Sequence, residues 1–138
     1  MNSMTKSEKD GVLTGRRMLV VEDDYFIADE ICATLREHGA EVLGPAPDVE
    51  HGLDLVRKNN IDCAVLDINL HGTLAFDIAS ELRQRSTPAI FATGYDGSIL
   101  PSEFSGSIRL EKPVDLRALL RAVESACANA QALRPEGS

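Results

Sequence analysis

The chain has 138 residues, 43% of them hydrophobic, and a formal net charge of -8. That length suits one domain with a single core, and that apolar share excludes a disordered chain. The acidic balance argues against a nucleic-acid binder, which needs a basic footprint, and against docking on an anionic membrane surface.

Residues 1–15, MNSMTKSEKDGVLTG, are polar, aperiodic and without the apolar centre of a signal peptide. They read as a flexible tail. No apolar run is long enough to span a bilayer, so a cytoplasmic protein without membrane insertion is expected. Met18–Val21 is a first apolar run. Asp24 can then cap a helix whose Ile27, Ile31 and Leu35 share one face, with Gly39 past its end. Val42-Leu43 is a second run. Asp48 can cap a second helix that turns Val49, Leu53 and Val56 inward. A third run, Cys63–Leu66, precedes a helix carrying Ile78 and Leu82 that ends before Pro88. The fourth run is Ala89–Ala92. After Thr93 the stretch GYDGSILPSEFSGS has three glycines and Pro101, so a fourth helix there is expected to be short or mobile. Ile108–Leu110 is the fifth run. A last helix starts near Asp115 and lines up Leu116, Leu119, Leu120, Val123 and Cys127. Residues 131–138 read as a second tail, which leaves 16–130 as the domain. Cys32, Cys63 and Cys127 each fall in an apolar periodic segment, with no CxxC pair, and read as reduced core thiols.

Buried-looking runs alternating with helices imply an open parallel sheet with helices on both faces. In such sheets, ligands bind outside the carboxyl ends of the strands. Those ends carry Glu22, Asp23 and Asp24 after the first run, and Asp67, Ile68 and Asn69 after the third. Thr93 follows the fourth, and Lys112 with Pro113 the fifth. Carboxylates gathered at one edge repel one another and need a cation. An oxygen-only set suits a hard ion, Mg²⁺ first, and no Cys or His spacing points to zinc. An ammonium and a hydroxyl beside a metal-bound carboxylate make a place for a phosphoryl group. Asp67 would be the nucleophile, since a carboxylate can form an acyl phosphate.

The segments LVVEDD, VLDINL, FATG and LEKPV resemble, in order, the four signatures of the response-regulator receiver domain of two-component signalling. The resemblance covers nearly everything between the tails. It implies a flavodoxin-like fold with strand order 2-1-3-4-5. It also implies a phosphorylation switch fed by a sensor histidine kinase. With only a short tail after the last helix, a stand-alone switch is expected, which contacts an unidentified protein target or passes or drains phosphoryl groups. By position, Asp67 resembles the phosphoacceptor. Asp23 resembles the acid that binds Mg²⁺ directly, and Glu22 the one that acts through water. Asn69 resembles the residue whose backbone carbonyl completes the metal site, so that its side chain matters less. Thr93 and Lys112 resemble the hydroxyl and the lysine that contact the phosphoryl group, with a cis bond before Pro113 typical. Asp24 reads as a helix cap first and a site residue second.

One position departs from the pattern. Where most receivers carry a switching aromatic on the fifth strand, this chain has Arg109, which cannot be buried cheaply without a partner. FATGYDG, residues 91–97, resembles the Phe-Ala-Thr-Gly-Tyr segment of a receiver subgroup. The expectation is that Tyr95 takes over the readout, with Gly94 permitting the swing. His71 reads as a solvent-facing loop histidine, and His38 and His51 as surface residues on helices. Two other classes compete. A haloacid-dehalogenase-type phosphatase needs an acid-base aspartate two places after its nucleophile, where Asn69 stands and cannot shuttle a proton. A non-reacting binding module would keep the fold without the chemistry, against which the full set of acid, hydroxyl and lysine argues. By the receiver reading the chain is no enzyme beyond its own phosphorylation and dephosphorylation.

Overall fold

A computed structural model of the chain describes residues 11–70, 72–94 and 100–133, with the side chains of the last helix described to residue 128. Five strands form the main sheet: β1 (Arg17–Val21), β2 (Glu41–Ala46), β3 (Cys63–Asp67), β6 (Ala89–Thr93) and β7 (Ile108–Glu111). A separate two-stranded hairpin, β4 (Asn69–Leu70) and β5 (Thr73–Leu74), follows β3. The helices are α1 (Tyr25–Glu37), α2 (Val49–Lys58), α3 (Phe76–Gln84) and α4 (Leu116–Leu133). The sheet order is β2-β1-β3-β6-β7 and all four pairings are parallel. With the hairpin set aside, that is the expected 2-1-3-4-5.

The central strands are apolar because both their faces are covered. Alternate residues point to opposite sides. Met18 and Val20, Cys63 and Val65, and Ile90 pack with Ile31, Cys32 and Leu35 of α1 and with Leu119, Val123 and Cys127 of α4. Leu19 and Val21, Ala64 and Leu66, and Phe91 pack on the other side with Val56 of α2 and with Ile78 and Leu82 of α3. All three cysteines are buried and none forms a disulfide. The Cys63 thiol hydrogen-bonds to Cys127 and is buried, and both raise it above its ordinary range, the reverse of a reactive thiolate.

The predicted caps serve as such. Asp24 accepts from the amides of Phe26 and Ile27 at 2.9 and 3.1 Å. Asp48 accepts from His51 N at 2.8 Å. Asp115, expected only to lie near the start of the last helix, caps it too and accepts from Arg117 N at 2.8 Å. His51 is exposed, and its ring lies 2.7 Å from Asp48. His38 ends α1, with Nδ1 2.9 Å from the Thr34 carbonyl.

Structure extends on both sides of the expected 16–130 limits. Leu13 sits in a short 3-10 turn, is 1% exposed, and donates its amide to the His38 carbonyl. Leu13 packs in the core cluster with Met18, Ile31 and Leu35. At the other end α4 runs to Leu133, past the expected boundary at 130. Between β6 and β7, where the fourth helix was expected to be short or mobile, the described residues hold a 3-10 turn, Ser102–Phe104. Residues 95–99 lie outside the described residues.

Candidate functional site

Chain order turns back on itself between β1 and β3, which are neighbours in the middle of the sheet. That switch point opens a crevice at the strand carboxyl ends. The register pairs Val21 with Leu66, so the residues that follow, Glu22 and Asp67, lie side by side. Across the next pairings Asp67 stands opposite Ala92 and Thr93 opposite Glu111, which brings Thr93 and Lys112 to the same edge. Lys112 N donates to the Thr93 carbonyl at 2.8 Å and fixes that edge. The Lys112–Pro113 bond is cis, as the sequence resemblance implied.

Glu22, Asp23 and Asp67 form an acidic group whose ligand oxygens lie within 4.8 Å of one another. Glu22 and Asp67 are 3% and 5% exposed, which is rare for carboxylates unless something compensates. Lys112 is part of that compensation. Its Nζ donates to Asp67 Oδ2 at 2.9 Å and to Glu22 Oε2 at 3.3 Å. The Asp67 Oδ1 atom accepts from Asn69 N at 3.1 Å, and Glu22 Oε2 also accepts from Asp24 N at 3.1 Å. Glu22 Oε1 is 3.1 Å from Nζ yet is buried without a hydrogen bond of acceptable geometry.

Charge balance in this crevice is uneven. Burial, and then a shared hydrogen bond with Asp67, push the Glu22 carboxyl up to about 7, against the Asp24 amide and Lys112. Lys112 is pulled down by burial, but the hydrogen bond and charge of Asp67, with Glu22 behind them, outweigh that and raise it. So one ammonium holds two acids that repel each other, with a buried carboxylate oxygen left over. That donor set fits a small hard cation, and its oxygen-only chemistry fits Mg²⁺.

The predicted site residues come together in most cases. Glu22, Asp23, Asp67, Asn69, Thr93 and Lys112 all lie at the expected strand ends, and Thr93 is buried. Asp24 is the helix cap. Gly94 is exposed, and a Cβ there would meet nothing within 4 Å. Arg109 is exposed on β7, opposite Phe91. Tyr95 and His71 lie outside the described residues. What the sequence reading missed is the hairpin that follows Asp67. Its signal was the Gly72 at the turn, which has φ +88°.

Residues 18–124 match the family model of the response regulator receiver domain, and the chain belongs to that family. It is 28% identical over 115 residues to the transcriptional regulatory protein PdtaR of Mycobacterium tuberculosis, covering 80% of this chain and 56% of that protein. It is 32% identical over 112 residues to the sensory transduction protein LytT of Bacillus anthracis, covering 78% of this chain and 46% of that one. The chain thus spans about half the length of these curated relatives. A solved response regulator from Chloroflexus aurantiacus superposes with a TM-score of 0.72 at 28% identity, covering 82% of this chain and 98% of that one.

Proposed function

We propose that this receiver domain takes a phosphoryl group from the phosphohistidine of a sensor histidine kinase onto Asp67 and so switches its contacts with another protein, or relays or drains phosphoryl groups. The observation that carries the reading is the Asp67 carboxylate, buried and held at Oδ2 by Lys112 beside two further acids. An Asp67 oxygen attacks phosphorus. The O–P bond forms, the N–P bond breaks, and the electron pair stays on the donor imidazole. Water later cleaves the acyl phosphate to the free carboxylate and inorganic phosphate. Lys112 is already charged and in place to pair with the incoming oxygens, so little reorganisation is needed. Thr93 stands at the neighbouring strand end for a hydrogen bond to one of them. Glu22, Asp23, Asp67 and the Asn69 backbone carbonyl would hold Mg²⁺. When bound, the ion offsets the charge of the carboxylates and of the phosphoryl group.

On this reading the protein acts in the cytoplasm and is no enzyme toward other substrates. The test is intact mass after incubation with acetyl phosphate and Mg²⁺. One added phosphoryl group in the wild type, lost without Mg²⁺ and in Asp67→Asn, is expected. No adduct and no release of phosphate from the donor would sink the reading. Because Arg109 is exposed where an aromatic switch is usual, we place the readout at Tyr95, in line with the Phe-Ala-Thr-Gly-Tyr subgroup. A phosphorylation-dependent spectral change in the 94–107 segment that survives Tyr95→Ala would refute that.

A further inference from the structure

Asn69 is expected to serve the site through its backbone alone. Its side chain, however, is engaged. Asn69 Oδ1 accepts from Gly72 N at 2.7 Å, and only the amide oxygen of that side chain can take a backbone N–H. The bond closes the hairpin. Asn69 pairs with Leu74 and Leu70 with Thr73, and Gly72 lies in the turn between the two arms. Gly72 has φ +88°, a conformation natural to glycine. Ala75 N then donates to the Ile68 carbonyl at 2.8 Å, returning the chain to the start of α3. An isolated pair of two-residue strands is too short to hold itself together. Ile68 and Leu70 anchor it below, being 5% and 3% exposed, while Asn69 lies on the exposed side.

The same residue holds the reacting group. Asn69 N donates to Asp67 Oδ1, while Lys112 Nζ holds Oδ2. A carboxylate gripped at both oxygens cannot rotate about its Cβ–Cγ bond. A carboxylate gripped only by the lysine can. We infer that the Asn69 side chain is a positioning residue: by clipping the 69–74 hairpin through Gly72, it fixes the Asn69 amide that orients Asp67. This rests on Asp67 being the phosphoacceptor, although the clip itself does not.

The test uses Asn69→Ala, which removes the acceptor, and Asn69→Ser, which keeps a short neutral one that can close the same turn more weakly. Aspartate is avoided because a further charge beside the acids would alter cation binding by itself. Amide hydrogen exchange, read residue by residue by NMR without Mg²⁺, should show lost protection at both Gly72 and Asn69 in Asn69→Ala and partial recovery in Asn69→Ser. With acetyl phosphate and Mg²⁺, the rate of adduct formation should fall about tenfold in Asn69→Ala and recover in part in Asn69→Ser. Because the clip is exposed, thermal stability should hardly change. Protection of the Asn69 amide that persists when that of Gly72 is lost would overturn the inference, whether or not the protein is phosphorylated. So would equal rates in wild type and Asn69→Ala, or equal defects in both variants. A wild type that takes no phosphoryl group would instead remove the phosphoacceptor reading, and the exchange data would still decide the clip.

Discussion

Glu22 carries the sharpest conflict among single residues. It is buried next to another acid, and its carboxyl titrates near 7 in the folded chain against an ordinary 4.5. The folded state therefore binds a proton that the unfolded state has released between about pH 4.5 and 7. By linkage, stability must fall as pH rises through that window. The contribution is whole below the unfolded value and gone above the folded one, and its size is on the order of 2 kcal/mol. Thermal melts of the metal-free protein from pH 5 to 8 should show the wild type losing stability relative to Glu22→Gln, whose amide does not titrate there. Parallel curves for the two proteins would mean that Lys112 already keeps Glu22 ionised. The acid set, the lysine and the hydroxyl were legible in the sequence because strand ends are places where polar residues stand out after apolar runs. Which of the acids holds a proton was not legible. It depends on burial and on Lys112, 90 residues away along the chain.

Among the elements, the Ser102–Phe104 turn has the least regular structure and yet is tied firmly. Phe104 is 4% exposed. Its ring stacks on Phe76 at the start of α3, centroids 6.1 Å apart, and meets Phe91 of β6 edge-on at 5.6 Å. It thus joins the segment after Thr93 to the element that follows the Asp67 hairpin. Phe104→Ala should cost about 3 kcal/mol in urea unfolding, the usual loss for a buried aromatic. A loss below about 1 kcal/mol would mean that the turn refolds without its anchor. Nothing in GYDGSILPSEFSGS announces this, since a lone Phe among Ser and Gly has no period to place it. The β4–β5 hairpin was missed for a related reason. Each arm is two residues long, and its apolar alternation runs on from β3. Strands β1, β3 and β6, by contrast, were plain, because burial on both faces demands unbroken apolar runs. The three capping aspartates likewise marked the starts of α1, α2 and α4, because an acceptor is required there whatever the tertiary context.

For the molecule as a whole, the net charge of -8 and the acidic crevice respond to cations in different ways. Any salt screens the general self-repulsion of an acidic surface. A bound ion acts only on the folded state and stabilises it by mass action, about 2.7 kcal/mol at free ion a hundredfold above its dissociation constant. For a chain of this size that is a rise of several degrees in melting temperature. Mg²⁺ should therefore raise the melting temperature well beyond NaCl at matched ionic strength. Asp23→Asn, in which one member of the acidic group loses its charge, should abolish the excess while keeping the salt response. The excess should also shrink from pH 8 to pH 5.5, because a proton on Glu22 competes with the ion for the same oxygens. If Mg²⁺ does no more than matched NaCl, the crevice does not select a divalent ion. If the excess persists in Asp23→Asn, the ion is held elsewhere on the acidic surface and the strand-end acids are not its site.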